Sequence, residues 1–189
     1  MYDIVPTSQE WKIKSMSQFQ IKKVQESCPE KAYLYGLRVL GRREYSESEL
    51  RKKMKLKGFE KDHIDSSINQ LAEKNFINLD RYTEYKIRSL IQKSYSISMI
   101  QSTLENEDIK VDQEFIESIF EREGVSETDL IYKILMRKKP DHSWLQPKDD
   151  RVYKLKQKAM VSAQQKGHNY RKVQEVLSAI LHHLDDSQI

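Results

Sequence analysis

Seven basic residues fall between positions 38 and 55, and six of them, Arg38, Arg42, Arg43, Arg51, Lys52 and Lys55, are candidates for contact with an anion. A second set, Lys154, Lys156, Lys158, Lys166, Arg171 and Lys172, lies near the other end of the chain. Guanidinium and ammonium groups clustered in this way suit phosphate contacts, which are salt-dependent and blind to base sequence. Arg81 and Arg88 are seven apart, share a helix face and join the candidates. The charge is segregated by segment. Lys31 to Gly58 carries nine basic residues against three acidic, a net of +6. Glu105 to Asp129 carries ten acidic against two basic, a net of −8. Ile131 to Lys172 carries twelve basic against three acidic, a net of +9, although the whole chain is only +4. Basic surfaces able to meet phosphate are thus expected on either side of an acidic face that repels it. The carboxylates of the helix from Asp112 to Glu123, Glu117 and Glu121 among them, are expected to point toward protein or solvent.

Other chemistry finds little support. His63, His142, His168, His182 and His183 have no Cys or Asp partner at a metal-ligand spacing. The pair His182-His183 sits where a helix end favours positive charge. The five glycines are dispersed singly, so no phosphate-cradling loop forms. The lone Cys28 cannot make an internal disulfide and fits a reducing compartment. The expectation is a protein that is not an enzyme and holds no metal or cofactor. No run approaches the roughly 20 apolar residues of a membrane span, and no secretory signal opens the chain, so the expected location is the cytoplasm, without membrane contact. Tyrosines 33, 35, 45, 82, 85, 95 and 170 could stack on bases. Tyr45 and Tyr95, however, occupy packing positions before helices, and Tyr82 and Tyr85 lie on an apolar stripe.

The elements that must carry these residues are helices. Glycine and proline are scarce, and alternating β-branched runs are almost absent. Residues 1–30 read as a variable extension in which Trp11, Ile13 and Phe19 are anchors. From Lys31 onward, amphipathic helices of about a dozen residues alternate with short turns. Leu34, Leu37 and Leu40 mark the first stripe, with Arg38 and Arg42 one turn apart beside it. Ser46 and Glu49 form a capping box, and Tyr45 and Leu50 a hydrophobic staple. Leu50 and Met54 face the core while Arg42, Arg43 and Arg51 lie off the apolar stripe. Gly58 ends the helix in the left-handed region, and Ile64, Ile68 and Leu71 mark the next one.

The unit recurs. Adding 50 maps Tyr45-Ser46 to Tyr95-Ser96, Leu50 to Ile100, Met54 to Leu104 and Phe59 to Ile109. Adding 109 maps Gly58 to Gly167, Ile64 to Val173, Ile68 to Leu177 and Leu71 to Ile180. Phe115, Ile116, Ile119 and Phe120 are the expected buried face of the acidic helix. Ser126 to Asp129 forms another cap, followed by Leu130, Ile131, Ile134 and Leu135. The period implies an all-α protein built as a repeat array of three-helix units. The expected divisions are 31–78, 79–124 and 125–189, with a loop over 140–150.

The stretch Leu37-Arg38-Val39-Leu40-Gly41-Arg42-Arg43-Glu44-Tyr45-Ser46-Glu47-Ser48-Glu49-Leu50 resembles the first-repeat signature of RecX regulatory proteins. There an apolar helix runs into Arg-Arg-x-Tyr/Phe-Ser-x-x-Glu-Leu and then Leu-x-x-Lys-Gly-Phe, which Met54, Lys57, Gly58 and Phe59 fill here. Asp80, Tyr82, Tyr85 and Arg88 are similar to the block that follows. The middle repeat departs from the pattern. Ser96-Ile97-Ser98-Met99-Ile100 stands where the family often has Gly-x-x-Arg-Ile, so a basic contact is missing that Lys93 partly replaces. The resemblance implies three tandem three-helix repeats forming a curved, elongated solenoid-like body that binds a RecA recombinase filament on single-stranded DNA, independent of base sequence. It implies restraint of strand exchange, ATP turnover and coprotease action, by a monomer. A helix-turn-helix regulator of duplex DNA is the alternative, since helix pairs with short turns also build that motif. A peptide-binding helical scaffold is a third reading.

Overall fold

The structure is a computed structural model and describes residues 24, 26–138, 140–145 and 149–186. The anchors expected at Trp11, Ile13 and Phe19 lie outside these residues. Among the described residues the secondary structure is entirely helical. The chain divides into two compact units, Met1–Tyr82 and Thr83–Ile189.

In the first unit, α1 (Pro29–Leu40), α2 (Glu47–Lys57) and α3 (Lys61–Glu73) enclose one core. Pro29 opens α1, where its missing N–H costs nothing. The chain just ahead of it belongs to the same unit. Val24 packs on the core, and its N–H donates to the Lys57 carbonyl at 3.0 Å. The buried ridge of α1 is Ala32, Gly36 and Val39 rather than the expected leucine stripe. Leu37 and Leu40 are half-buried, and Leu34 is 59% exposed. The reason is close approach. A Cβ on Gly36 would sit 2.6 Å from Leu71 Cδ1 and 2.8 Å from Met54 Cε, so glycine lets α1 approach the other two helices without displacing those side chains. Ser46 caps α2 by accepting from the Glu49 N–H at 3.1 Å. The Glu49 carboxylate does not complete a capping box. It accepts from Arg43 Nη1 at 3.0 Å instead. Tyr45 and Leu50 are both buried, as a staple requires.

Helix α4 (Leu79–Gln92) contains the division between the units. The second unit continues with α5 (Ile97–Glu105), α6 (Gln113–Arg122), α7 (Glu127–Met136), a 3-10 turn (His142–Leu145), α8 (Asp150–Gln164) and α9 (Tyr170–Asp186). On α6 the core face is Ile116, Ile119 and Phe120, spaced by three and one. Phe115 falls on the flank and is 38% exposed, a correction to its expected burial. The segment 140–150 is more than a loop, because its 3-10 turn delivers Trp144 into the core of α7, α8 and α9 at 1% exposure.

The repeat is written in the backbone. The N–H of Phe59 donates to the Met54 carbonyl at 3.2 Å, Ile109 to Leu104 at 3.0 Å, and His168 to Ala163 at 3.2 Å. The residue before each donor is left-handed: Gly58 at φ 96°, Asp108 at φ 59° and Gly167 at φ 87°. The same six-to-one stop also closes α3 at Asn75, α4 at Ser94 and α6 at Gly124, so the copies at Gly58, Asp108 and Gly167 stand within a wider use of one helix end. The middle copy uses aspartate, one of the few side chains that tolerate that region.

Candidate nucleic-acid interface

The basic residues singled out by sequence separate into free and engaged groups. On the first unit Arg38, Arg42, Lys52 and Lys55 are exposed and take no carboxylate partner among the described residues. Arg43 is half-buried, its guanidinium carbon 3.7 Å from the Tyr45 ring centroid while it bonds Glu49. Arg51 bonds Glu47 at 2.7 Å on its own helix and Asp65 on α3, clamping α2 to α3. Burial works against the charge of both groups, but the neighbouring carboxylates outweigh it and hold each guanidinium above its ordinary pKa. Arg81 donates to Glu44 at 3.1 Å and to the carbonyls of Asn75 at 3.0 Å and Phe76 at 3.3 Å, so it ties the turn between α3 and α4. An arginine so placed packs and orients as well as presenting charge.

Helices α2 and α3 border an open groove of about 660 Å³. Phe59 and Ile64 form its apolar floor, and Lys52, Lys55 and Lys61 stand on its rim beside the Arg51 clamp. Lys61 likewise takes no carboxylate partner among the described residues. The sequence pattern does not single it out, because it lies beyond the basic run and is brought to the rim by the turn at Gly58. A cleft with cations above apolar walls can hold an anion whose other face is hydrophobic.

In the second unit, Arg88 bonds Glu84 at 3.0 Å and Glu123 at 3.3 Å, and Arg122 joins Glu84 at 2.8 Å. Arg88 is therefore exposed but shared between two carboxylates. Lys172 bonds Glu127 at 2.7 Å, Lys154 bonds Asp150 at 2.6 Å, and Arg171 meets Glu175 at 3.4 Å. Lys158 is exposed and unpaired among the described residues. Lys166 places its ammonium 4.3 Å from the Tyr95 ring centroid, and burial together with the charges of Arg137 and Lys93 lowers its pKa. Burial is the larger cause, and the charges of Arg137 and Lys93 add to it.

Of the tyrosines proposed for stacking, Tyr82 is fully buried and Tyr45 nearly so, while Tyr170 is exposed. Tyr153, which the sequence reading passes over, is also exposed. Its phase places it on the flank of the buried side of α8, seven residues before Met160 and offset by about 80–120° from Ala159 and Ala163. His168 is buried and bonded, and no group of three or more His, Cys, Asp or Glu side chains suited to a metal occurs among the described residues. Among those residues, no helix is long and apolar enough to cross a membrane.

Known proteins match this arrangement. A family profile described as the first three-helix domain of RecX matches residues 32–71, spanning α1 to α3. The regulatory protein RecX of Mannheimia succiniciproducens is 31% identical over 111 residues, covering 59% of this chain and 72% of that protein. The regulatory protein RecX of Haemophilus influenzae strain PittEE is 30% identical over 128 residues, covering 67% of this chain and 80% of that one. A crystal structure of a regulatory protein RecX shares the fold with a TM-score of 0.53 at 15% identity, over 94% of this chain and 81% of that one. With its helix-stop repeat, its capped α2 and relatives matched over more than two thirds of their length, the chain belongs to the RecX family of regulatory proteins.

Proposed function

We propose that the chain binds a RecA filament on single-stranded DNA and restrains its strand exchange, ATP hydrolysis and coprotease action, acting as a monomer and not as an enzyme. The ATP turnover it affects belongs to the filament. The observation that carries the reading is the set of free cations around the α2–α3 groove: Lys52, Lys55 and Lys61 take no carboxylate partner among the described residues while Arg51 beneath them is tied down. A protein that keeps unpaired ammonium groups over apolar walls holds them ready for an external anion, and a phosphate backbone is the densest one available. Arg38, Arg42 and Lys158 add charge of the same kind. Arg43, Arg81, Arg88, Lys154, Arg171 and Lys172 contribute after exchanging or sharing an internal partner.

The test is RecA-dependent ATP hydrolysis on single-stranded DNA. Substoichiometric amounts of the protein slow it, and the effect weakens as salt rises. Full hydrolysis at equimolar protein in low salt overturns the proposal. A second reading draws on the short turn between α2 and α3, residues 58–60, which gives this pair the local form of a helix-turn-helix. A sequence-dependent footprint on duplex DNA would select that reading.

A further inference from the structure

Helix α8 turns Val152, Ala159, Met160 and Ala163 into the core. At about 100° per residue, Lys154 and Lys158 then stand one turn apart on the opposite side. From Arg151 to Lys166 the chain has five basic residues and no acidic one. Only Lys154 on this face is paired, to Asp150 at the helix start, while Arg151 and Lys158 are unpaired among the described residues. Tyr153, 59% exposed, lies on the flank of α8, about 100° around the helix from Lys154 and close in phase to buried Met160 seven residues on. Among the described residues its side chain makes no hydrogen bond or ring contact. The ring stands mostly in solvent at the border of a face whose charged residues are all basic from Arg151 onward.

We infer that α8 is a landing surface for single-stranded nucleic acid, on which Arg151, Lys154 and Lys158 of the outer face meet successive phosphates and the Tyr153 ring, on the flank, stacks on an unpaired base. The charge selects a polyanion, and the aromatic face selects one with free bases, because bases within a duplex are already stacked. An anionic membrane is the competing polyanion, and the helix is poorly built for it. Tyr153 and Leu155 fall on edges about 200° apart, and exposed Val161 between them stands among Lys154 and Lys158, so the exposed apolar groups do not merge into the continuous face that an interfacial helix buries. The inference rests on the single-stranded DNA component of the proposed function and names a residue that reads the strand.

The experiment uses the purified full chain without RecA. Fluorescence anisotropy follows a labelled oligothymidylate of about twenty nucleotides and an abasic deoxyribose-phosphate oligomer of equal length. Tyr153→Ala is expected to weaken binding to oligothymidylate about tenfold and to leave abasic binding unchanged, while Tyr153→Phe keeps both. Lys154→Glu with Lys158→Glu weakens both probes. Equal binding of oligothymidylate by Tyr153→Ala and the parent overturns the inference, as does an equal loss on the abasic strand. Binding to phosphatidylserine vesicles with none to oligothymidylate also overturns it. Tyr153 is at the surface, so an unchanged melting temperature confirms that the variant folds. A chain that binds oligothymidylate through Tyr153 yet leaves RecA hydrolysis untouched upholds the inference and overturns the proposed function. A chain that slows RecA while Tyr153→Ala binds oligothymidylate normally does the reverse.

Discussion

His168 places Nδ1 3.2 Å from Glu127 Oε1 and Nε2 3.0 Å from the Ser94 carbonyl oxygen. The imidazole follows the helix stop after α8 and is buried, so it joins the start of α7 to the turn between α4 and α5. Lys172 bonds the other Glu127 oxygen at 2.7 Å. One carboxylate thus receives two polar groups from the turn and helix around Gly167.

Acid should loosen this joint. Burial pushes the Glu127 carboxyl up, but hydrogen bonds and charge from Lys172 and His168 outweigh it and leave the pKa below its ordinary 4.5. A depressed carboxylate stabilises the fold above the unfolded value, and that stability is lost as pH falls through the folded one. Urea midpoints between pH 7 and pH 3 should therefore fall below about pH 4.5. Glu127→Gln should cost about 1–3 kcal/mol at neutral pH and flatten this limb. A Glu127→Gln curve parallel to the parent's over that range would contradict the assignment.

The cap of α7 supplies a second test. Ser126 Oγ accepts from the Asp129 N–H at 3.2 Å, and Asp129 Oδ2 accepts from the Ser126 N–H at 2.8 Å. The side chain and backbone of Ser126 lower the pKa of Asp129. Ser126→Ala should cost about 1 kcal/mol by denaturant melting, and NMR titration should show Asp129 returning toward its ordinary value. An Asp129 titration unmoved by the substitution counts against the reciprocal cap.

Two glycines should differ in cost. Gly36→Ala meets Leu71 Cδ1 and Met54 Cε, the far ends of side chains that can shift, so about 1 kcal/mol is expected. Gly167→Ala meets the Ser96 hydroxyl and, at 2.8 Å, Met99 Cβ, which lies next to the backbone. It also forces φ 87° on an L residue, which adds roughly 1–2 kcal/mol. Thermal melts in which Gly36→Ala proves the more damaging would reverse this ranking.

Trp144→Ala should cost about 3–5 kcal/mol, since it empties the largest fully buried side chain among the described residues. Urea unfolding followed by circular dichroism reads the loss, and a cost under about 1 kcal/mol would place Trp144 outside the core.

Charge reversal separates free cations from engaged ones. Replacing Arg42, Lys52 and Lys55 with Glu should leave the melting temperature nearly unchanged while abolishing inhibition of RecA hydrolysis. Arg51→Glu places an acid against Glu47 and Asp65, so it should lower the melting temperature first. Inhibition retained by a folded triple variant would remove the α2–α3 groove from the interface.

Much of this architecture is local and so was legible in the residues themselves. Ser46 and Ser126 announce helix starts, Gly58 and Gly167 announce stops, and Ile64, Ile68 and Leu71 repeat at the helical period, because each signal acts within one turn of chain. The basic segments were equally plain, since composition needs no partner. Which of those charges remain free depends on groups distant in sequence. Arg51 finds Asp65 on another helix, Arg81 finds Glu44, and Lys172 finds Glu127 forty-five positions earlier. Glu49 abandoned a capping box for Arg43, and Leu34 yielded the core to Gly36, because a carboxylate and a helix face go to the nearest partner that folding supplies. The sequence by itself determined a repeated helical chain with positive segments. Packing decided which ammonium groups face water, because that choice is made between helices and no periodicity within one of them records it.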